Sequence, residues 1–108
     1  MATGRLGAVD LTTTNDTSVY GPVPANTFAV ATVSLCNRGA SSVNVRIAVC
    51  STTTPANGEY LEYDATVLAK GVLERTGIVI DAGKYIIVKA SSANVISAVA
   101  MGIETTTA

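Results

Sequence analysis

Phe28-Ala29-Val30-Ala31-Thr32-Val33-Ser34-Leu35-Cys36 and Val43-Asn44-Val45-Arg46-Ile47-Ala48-Val49-Cys50 flank the polar stretch Asn37-Arg38-Gly39-Ala40-Ser41-Ser42. In the second run Val43, Val45, Ile47 and Val49 fall at every other position, with Asn44, Arg46 and Ala48 between them. Side chains of a strand alternate between two faces, so this period of two reads as a half-buried antiparallel strand with its valine face inward. Ala29, Ala31, Val33 and Leu35 form the matching apolar set in the first run. The glycine-containing separator makes the pair a predicted β-hairpin that turns near Gly39. In such a hairpin Cys36 sits by the turn and Cys50 at the far end, separated by roughly seven residues of 3.4 Å each along the ladder. Bridged cysteines need Cα atoms within about 7 Å, so two free thiols are expected.

Outward from this pair, Gly, Pro, Asn and Asp cut the chain into further runs of strand length. These are Gly4 to Leu11, a brief segment ending at Tyr20, Glu59 to Asp64, Gly71 to Ile80, Lys84 to Ser91 and Asn94 to Glu104. Thr12 to Asp16 reads as a turn, Gly21-Pro22-Val23-Pro24 as a stiff extended connector, and Asp81-Ala82-Gly83 as a tight turn. Asp10, Lys70 and Thr105 to Ala108 read as solvated ends. Valine, isoleucine and threonine supply 36 of the 108 residues, and β-branched side chains favour strands over helices. The expectation is one all-β domain spanning residues 1–108, an antiparallel β-sandwich of seven to eight short strands with at most one short helical turn.

Composition narrows the function. Seven basic and eight acidic residues give a formal net charge of −1, with no basic stripe to neutralise a phosphate backbone, so nucleic acid is not an expected partner. Met1 to Asp10 has no apolar run long enough for a signal peptide or a membrane span, so no membrane partner and intracellular synthesis are expected. Histidine is absent, which removes the commonest general base and the imidazole ligands of most catalytic zinc sites. No phosphate-binding glycine loop, Ser-x-x-Lys, Gly-x-Ser-x-Gly or Cys-x-x-Cys occurs. The chain is therefore expected not to be an enzyme, and to need neither cofactor nor metal.

The densest polar cluster is Glu59-Tyr60-Leu61-Glu62-Tyr63-Asp64. Strict alternation puts Tyr60, Glu62 and Asp64 on one face and Glu59, Leu61 and Tyr63 on the other, so two carboxylates would share a side. Two carboxylates alone specify neither a cation site nor an acid–base pair, and tyrosines on a rim suit a protein contact. Glu74-Arg75 are neighbours on a strand, point opposite ways and must each find another partner. Tyr60, Glu62, Tyr63, Asp64, Glu74 and Arg75 are the candidate protein-contact residues.

Taken together, Cys36-Asn37-Arg38-Gly39, Val43 to Ala48, Thr54-Pro55-Ala56-Asn57-Gly58 with the acidic tyrosine cluster, Val72-Leu73-Glu74-Arg75-Thr76-Gly77, Ala82-Gly83-Lys84 and Met101-Gly102-Ile103-Glu104 resemble a known group. They are similar to small virion structural proteins of tailed phages, of the cyanophage type, which include capsid decoration (cement) proteins and tail or neck components. The likeness runs from about Phe28 to Glu104 and carries no catalytic motif. It implies a freestanding virion protein assembled in the host cytoplasm, with the major capsid protein as partner. The first expectation is a decoration protein that clamps capsid subunits from outside. The second is a tail, neck or fibre component, including a receptor-binding module. A sandwich has edges, and few charges are available to protect them, so association with copies of itself is expected. Phage surface proteins commonly sit at threefold positions, which makes a homotrimer the specific expectation.

Overall fold

The structure, a computed structural model, describes residues 3–107. Eight strands follow one another: β1 Thr3–Asp10, β2 Thr17–Tyr20, β3 Thr27–Asn37, β4 Val43–Cys50, β5 Tyr60–Val67, β6 Val72–Ile80, β7 Tyr85–Ala90 and β8 Ile96–Thr106. Among the described residues the single helical turn is a 3₁₀ turn at Asn57–Glu59. The strands form two four-stranded sheets, ordered β1-β8-β3-β6 (sheet A) and β2-β7-β4-β5 (sheet B), with every pairing antiparallel. The expected all-β sandwich is what the chain adopts.

The topology is that of one long hairpin rolled up. β1 pairs with β8, β2 with β7, β3 with β6 and β4 with β5, and the roll closes when β3 meets β8 and β4 meets β7. Only the β4–β5 connection stays within a sheet, while every other connection crosses from one sheet to the other. Two four-stranded antiparallel sheets wound in this way are a jelly roll.

The predicted β3–β4 hairpin is therefore wrong. β3 and β4 lie in opposite sheets, with Val33 and Leu35 facing Val45 and Ile47 across one shared core. Facing sheets and side-by-side strands produce the same period-two pattern, because each needs only one apolar face per strand. What sends the chain across is Asn37, whose side chain is fully buried. Its amide donates to the carbonyls of Ser41 at 2.8 Å and Val67 at 3.1 Å, and its Oδ1 accepts the Gly39 N–H at 2.9 Å. A neutral amide that meets its needs inside the protein fixes the corner that a plain turn would have left in solvent.

The core is aliphatic, built on Ala29, Ala31, Val33 and Leu35 of β3 and Val43, Val45 and Ile47 of β4, with Ile78, Ile80, Ile86, Val88 and Ile96; of the expected inward sets Val49 alone is only partly buried, packed against this core. Gly102 admits the close approach of β8 to β3: a Cβ there would lie 1.9 Å from the Val30 carbonyl oxygen. β8 continues through Thr106, so Thr105 and Thr106 are strand rather than a loose end, and Ala108 of that expected tail lies outside the described residues. Asp10 is not merely solvated either, since it pairs with Arg38 at 2.6 Å. Lys70 likewise donates to the Arg38 carbonyl at 2.7 Å.

Both thiols are free, but not for the hairpin reason. Cys36 belongs to sheet A and Cys50 to sheet B. Cys50 is buried on the outer side of sheet B with Ala48 and Ile87, covered by Tyr60 and Tyr85. Burial pushes its thiol up to about 11, with Glu59 adding to the effect.

Candidate protein-contact site

β5 is one edge strand of sheet B and β6 one edge strand of sheet A, and the jelly roll brings these two strands to the same side of the sandwich. The loop leading into β5 is closed by Glu59, whose carboxylate accepts the N–H of Ala56 at 2.8 Å and of Ser51 at 3.1 Å. Those two backbone donors hold its carboxyl below the usual range.

Alternation along β5 breaks at Tyr63-Asp64. Ala65 pairs with Val45 and Glu62 with Ile47, so two residues stand opposite Arg46, and Asp64 takes φ +54°. A second register shift follows, since Ile47 pairs with Glu62 but Ala48 with Tyr60, leaving Leu61 as a further extra residue, and the two irregularities together overturn the expected face assignment. Tyr60, Tyr63 and Asp64 gather on the outer face around Arg46, whereas Glu62 turns toward the gap between the sheets. The two carboxylates expected on one face are parted, each to its own arginine.

Arg46 holds the outer cluster. Its Nε donates to Asp64 Oδ1 at 2.8 Å and one terminal nitrogen donates to Oδ2 at 3.3 Å. Its guanidinium lies 3.9 Å from the Tyr63 ring centroid and 6.0 Å from that of Tyr60. The two rings meet edge to face at 4.9 Å. The fork geometry holds the Asp64 carboxyl below its ordinary range and raises that of Arg46. Tyr63 is nonetheless 60% exposed. Beside the cluster a polar hollow of about 110 Å³ is lined by Asn44, Arg46, Asp64, Lys89, Ala90 and Ser91.

The other candidates are elsewhere. Arg75 donates to Glu62 at 2.9 Å, tying β6 to β5 across the sheet gap. Next to this pair, Val49, Leu61 and Thr76 to Val79 line a cleft of about 220 Å³ that opens at the same edge. Glu74 lies across from Ser34 on the outer face of sheet A, away from the tyrosines. Among the described residues no three Cys, Asp or Glu side chains are grouped to hold a metal ion.

Arg46 and Lys89 were missed by the sequence reading, although one signal was present. An arginine in the middle of a valine-alternating strand, on its polar face, requires an anionic or aromatic neighbour from an adjacent strand. Chemically the cluster is a rigid aromatic and guanidinium surface with a hydrogen-bonding hollow beside it, suited to gripping a protein surface. Comparisons of the chain with protein-family models, with curated proteins and with solved structures find no match.

Proposed function

We propose that this protein is a structural component of a phage particle that decorates the capsid exterior and clamps neighbouring capsid subunits, acting by contact and not by catalysis. The observation that carries this reading is the patch of Tyr60, Tyr63, Arg46 and Asp64 on the outer face of sheet B. Tyrosine and arginine are the residue types that most often anchor protein interfaces. Here the rings are held by an ion pair and by each other, so little side-chain freedom is lost when a partner covers them. The jelly roll also recurs in viral capsid domains, an analogy of fold that supports the reading. The resemblance of the sequence to small virion proteins points the same way.

The test is copy number and placement. Quantitative mass spectrometry of purified particles is expected to give hundreds of copies, and purified protein is expected to bind capsids that lack it while leaving isolated tails bare. Tyr63→Ala should weaken capsid binding at least tenfold with folding unchanged. A few copies per particle, or binding to tails alone, would replace this reading with a tail, neck or fibre component. That second reading is favoured by the polar hollow next to an exposed tyrosine, because lectin domains share the jelly roll.

A further inference from the structure

We infer that the outer face of sheet A is a contact between two copies of this chain, packed face to face about a twofold axis that runs along the strands. The central strands β8 and β3 put no charged side chain on this face; their outward positions are Ser, Thr, Cys, Phe, Val, Met and Ile. Val79, Val30 and Ile103 stand side by side across three strands. They are 68%, 37% and 47% exposed, and Met101 adjoins them. An apolar row of this kind in the middle of a sheet face is what a partner covers.

Charge identifies that partner as a second copy. The face is flanked by Arg5 on β1 and Glu74 on β6, the two edge strands of sheet A. Both are exposed, and among the described residues neither has an ion-pair partner. A twofold axis along the strands lays β1 of one copy over β6 of the other, so Arg5 meets Glu74 twice. Arg5 stands in the row of Met101 and Thr32, and Glu74 in the row of Ser34 and Val99. That offset of two residues is about 7 Å, within the span of the two side chains and the roughly 30° rotation of packed sheets.

Size fits as well. Four strands about 4.8 Å apart and around 30 Å long cover on the order of 600 Å² per copy, which places the pair near the lower bound of stable interfaces. Growth through the edges is opposed by the bulges in β1, β2, β5 and β6 and by the shortness of β2. Pairing by faces takes the place of the expected threefold, which joins two different patches, whereas Arg5 and Glu74 complement each other on one patch. The inference is independent of where on a particle the protein sits.

Sedimentation equilibrium of the full chain, in reductant and up to roughly 100 µM, is the test. The wild type is expected at twice its 11.0 kDa monomer mass. Arg5→Glu and Glu74→Arg each place like charges together and should weaken pairing at least tenfold, while the double swap should restore it. Both positions are exposed, and an unchanged circular dichroism spectrum verifies folding. A monomer at every concentration, a trimer, or a dimer indifferent to both reversals would overturn the inference, as would failure of the swapped variant to pair.

Discussion

Arg75 of β6 and Glu62 of β5 meet at 2.9 Å across the gap between the two sheets, among the described residues the one place where edge strands of sheets A and B are tied by opposite charges. Neither residue is fully buried: their side chains are 43% and 26% exposed. A pair of this kind contributes less than about 1 kcal/mol, because water screens it and two long side chains lose freedom. A double-mutant cycle with Arg75→Ala and Glu62→Ala should return a coupling below that figure, shrinking further at high salt. A salt-independent coupling of several kcal/mol would mean that the pair is buried more deeply than its exposure indicates.

Asn37 is a harsher test of the fold. Asn37→Ala leaves the buried Val67 carbonyl and the half-buried Gly39 N–H without the partners they have now, at a cost of about 1–3 kcal/mol for the buried carbonyl and less for the N–H, which water can reach. The variant should lose at least about 1 kcal/mol in urea unfolding, whereas Ser34→Ala on the outer face should change stability by less than about 0.5 kcal/mol.

Thiol chemistry distinguishes the two sheets. In dilute native protein near pH 8 one equivalent of a thiol reagent should react quickly, at the half-buried Cys36, and two after denaturation without reductant. Cys50 is protected by burial and by a thiol pushed up to about 11. The stability tied to that raised value is fully present below the unfolded thiol range, near 8.5, and is lost as pH rises through about 11. Rapid labelling of both cysteines in the native state would contradict the packing of Tyr60 and Tyr85 over Cys50. At high protein concentration Cys36 should react more slowly, since pairing through sheet A covers it.

Acid acts on the other carboxyls. Glu59 and Asp64 have folded-state values lowered by their hydrogen bonds, so their contribution is present above the unfolded carboxylate range, near 4. It is lost as pH falls through the lowered values. Thermal midpoints should therefore drop on acidification below about pH 4, and Glu59→Gln/Asp64→Asn should start lower at neutral pH and fall less. An acid limb unchanged by the two substitutions would assign the acid sensitivity to other groups.

The sequence by itself determined the strands. Val43-Asn44-Val45-Arg46-Ile47 alternates because a strand shows its side chains to two sides, and the inward set it names is the set that is buried. Gly, Pro, Asn and Asp cut the chain into a run at each of the eight strands, within the expected seven to eight, since those residues mark where a backbone must bend or forgo pairing. Pairing was decided only by the tertiary structure. An apolar face satisfies its period equally against a neighbouring strand or an opposing sheet, and Asn37 acts as a corner only once Val67, 30 residues away, supplies its acceptor. The contact patch was half legible: Tyr60, Tyr63 and Asp64 stood out as a cluster. Which face each side chain takes depends on two extra residues in β5, one opposite Arg46 and one at Leu61, and a bulge is a property of two paired strands that neither strand encodes alone.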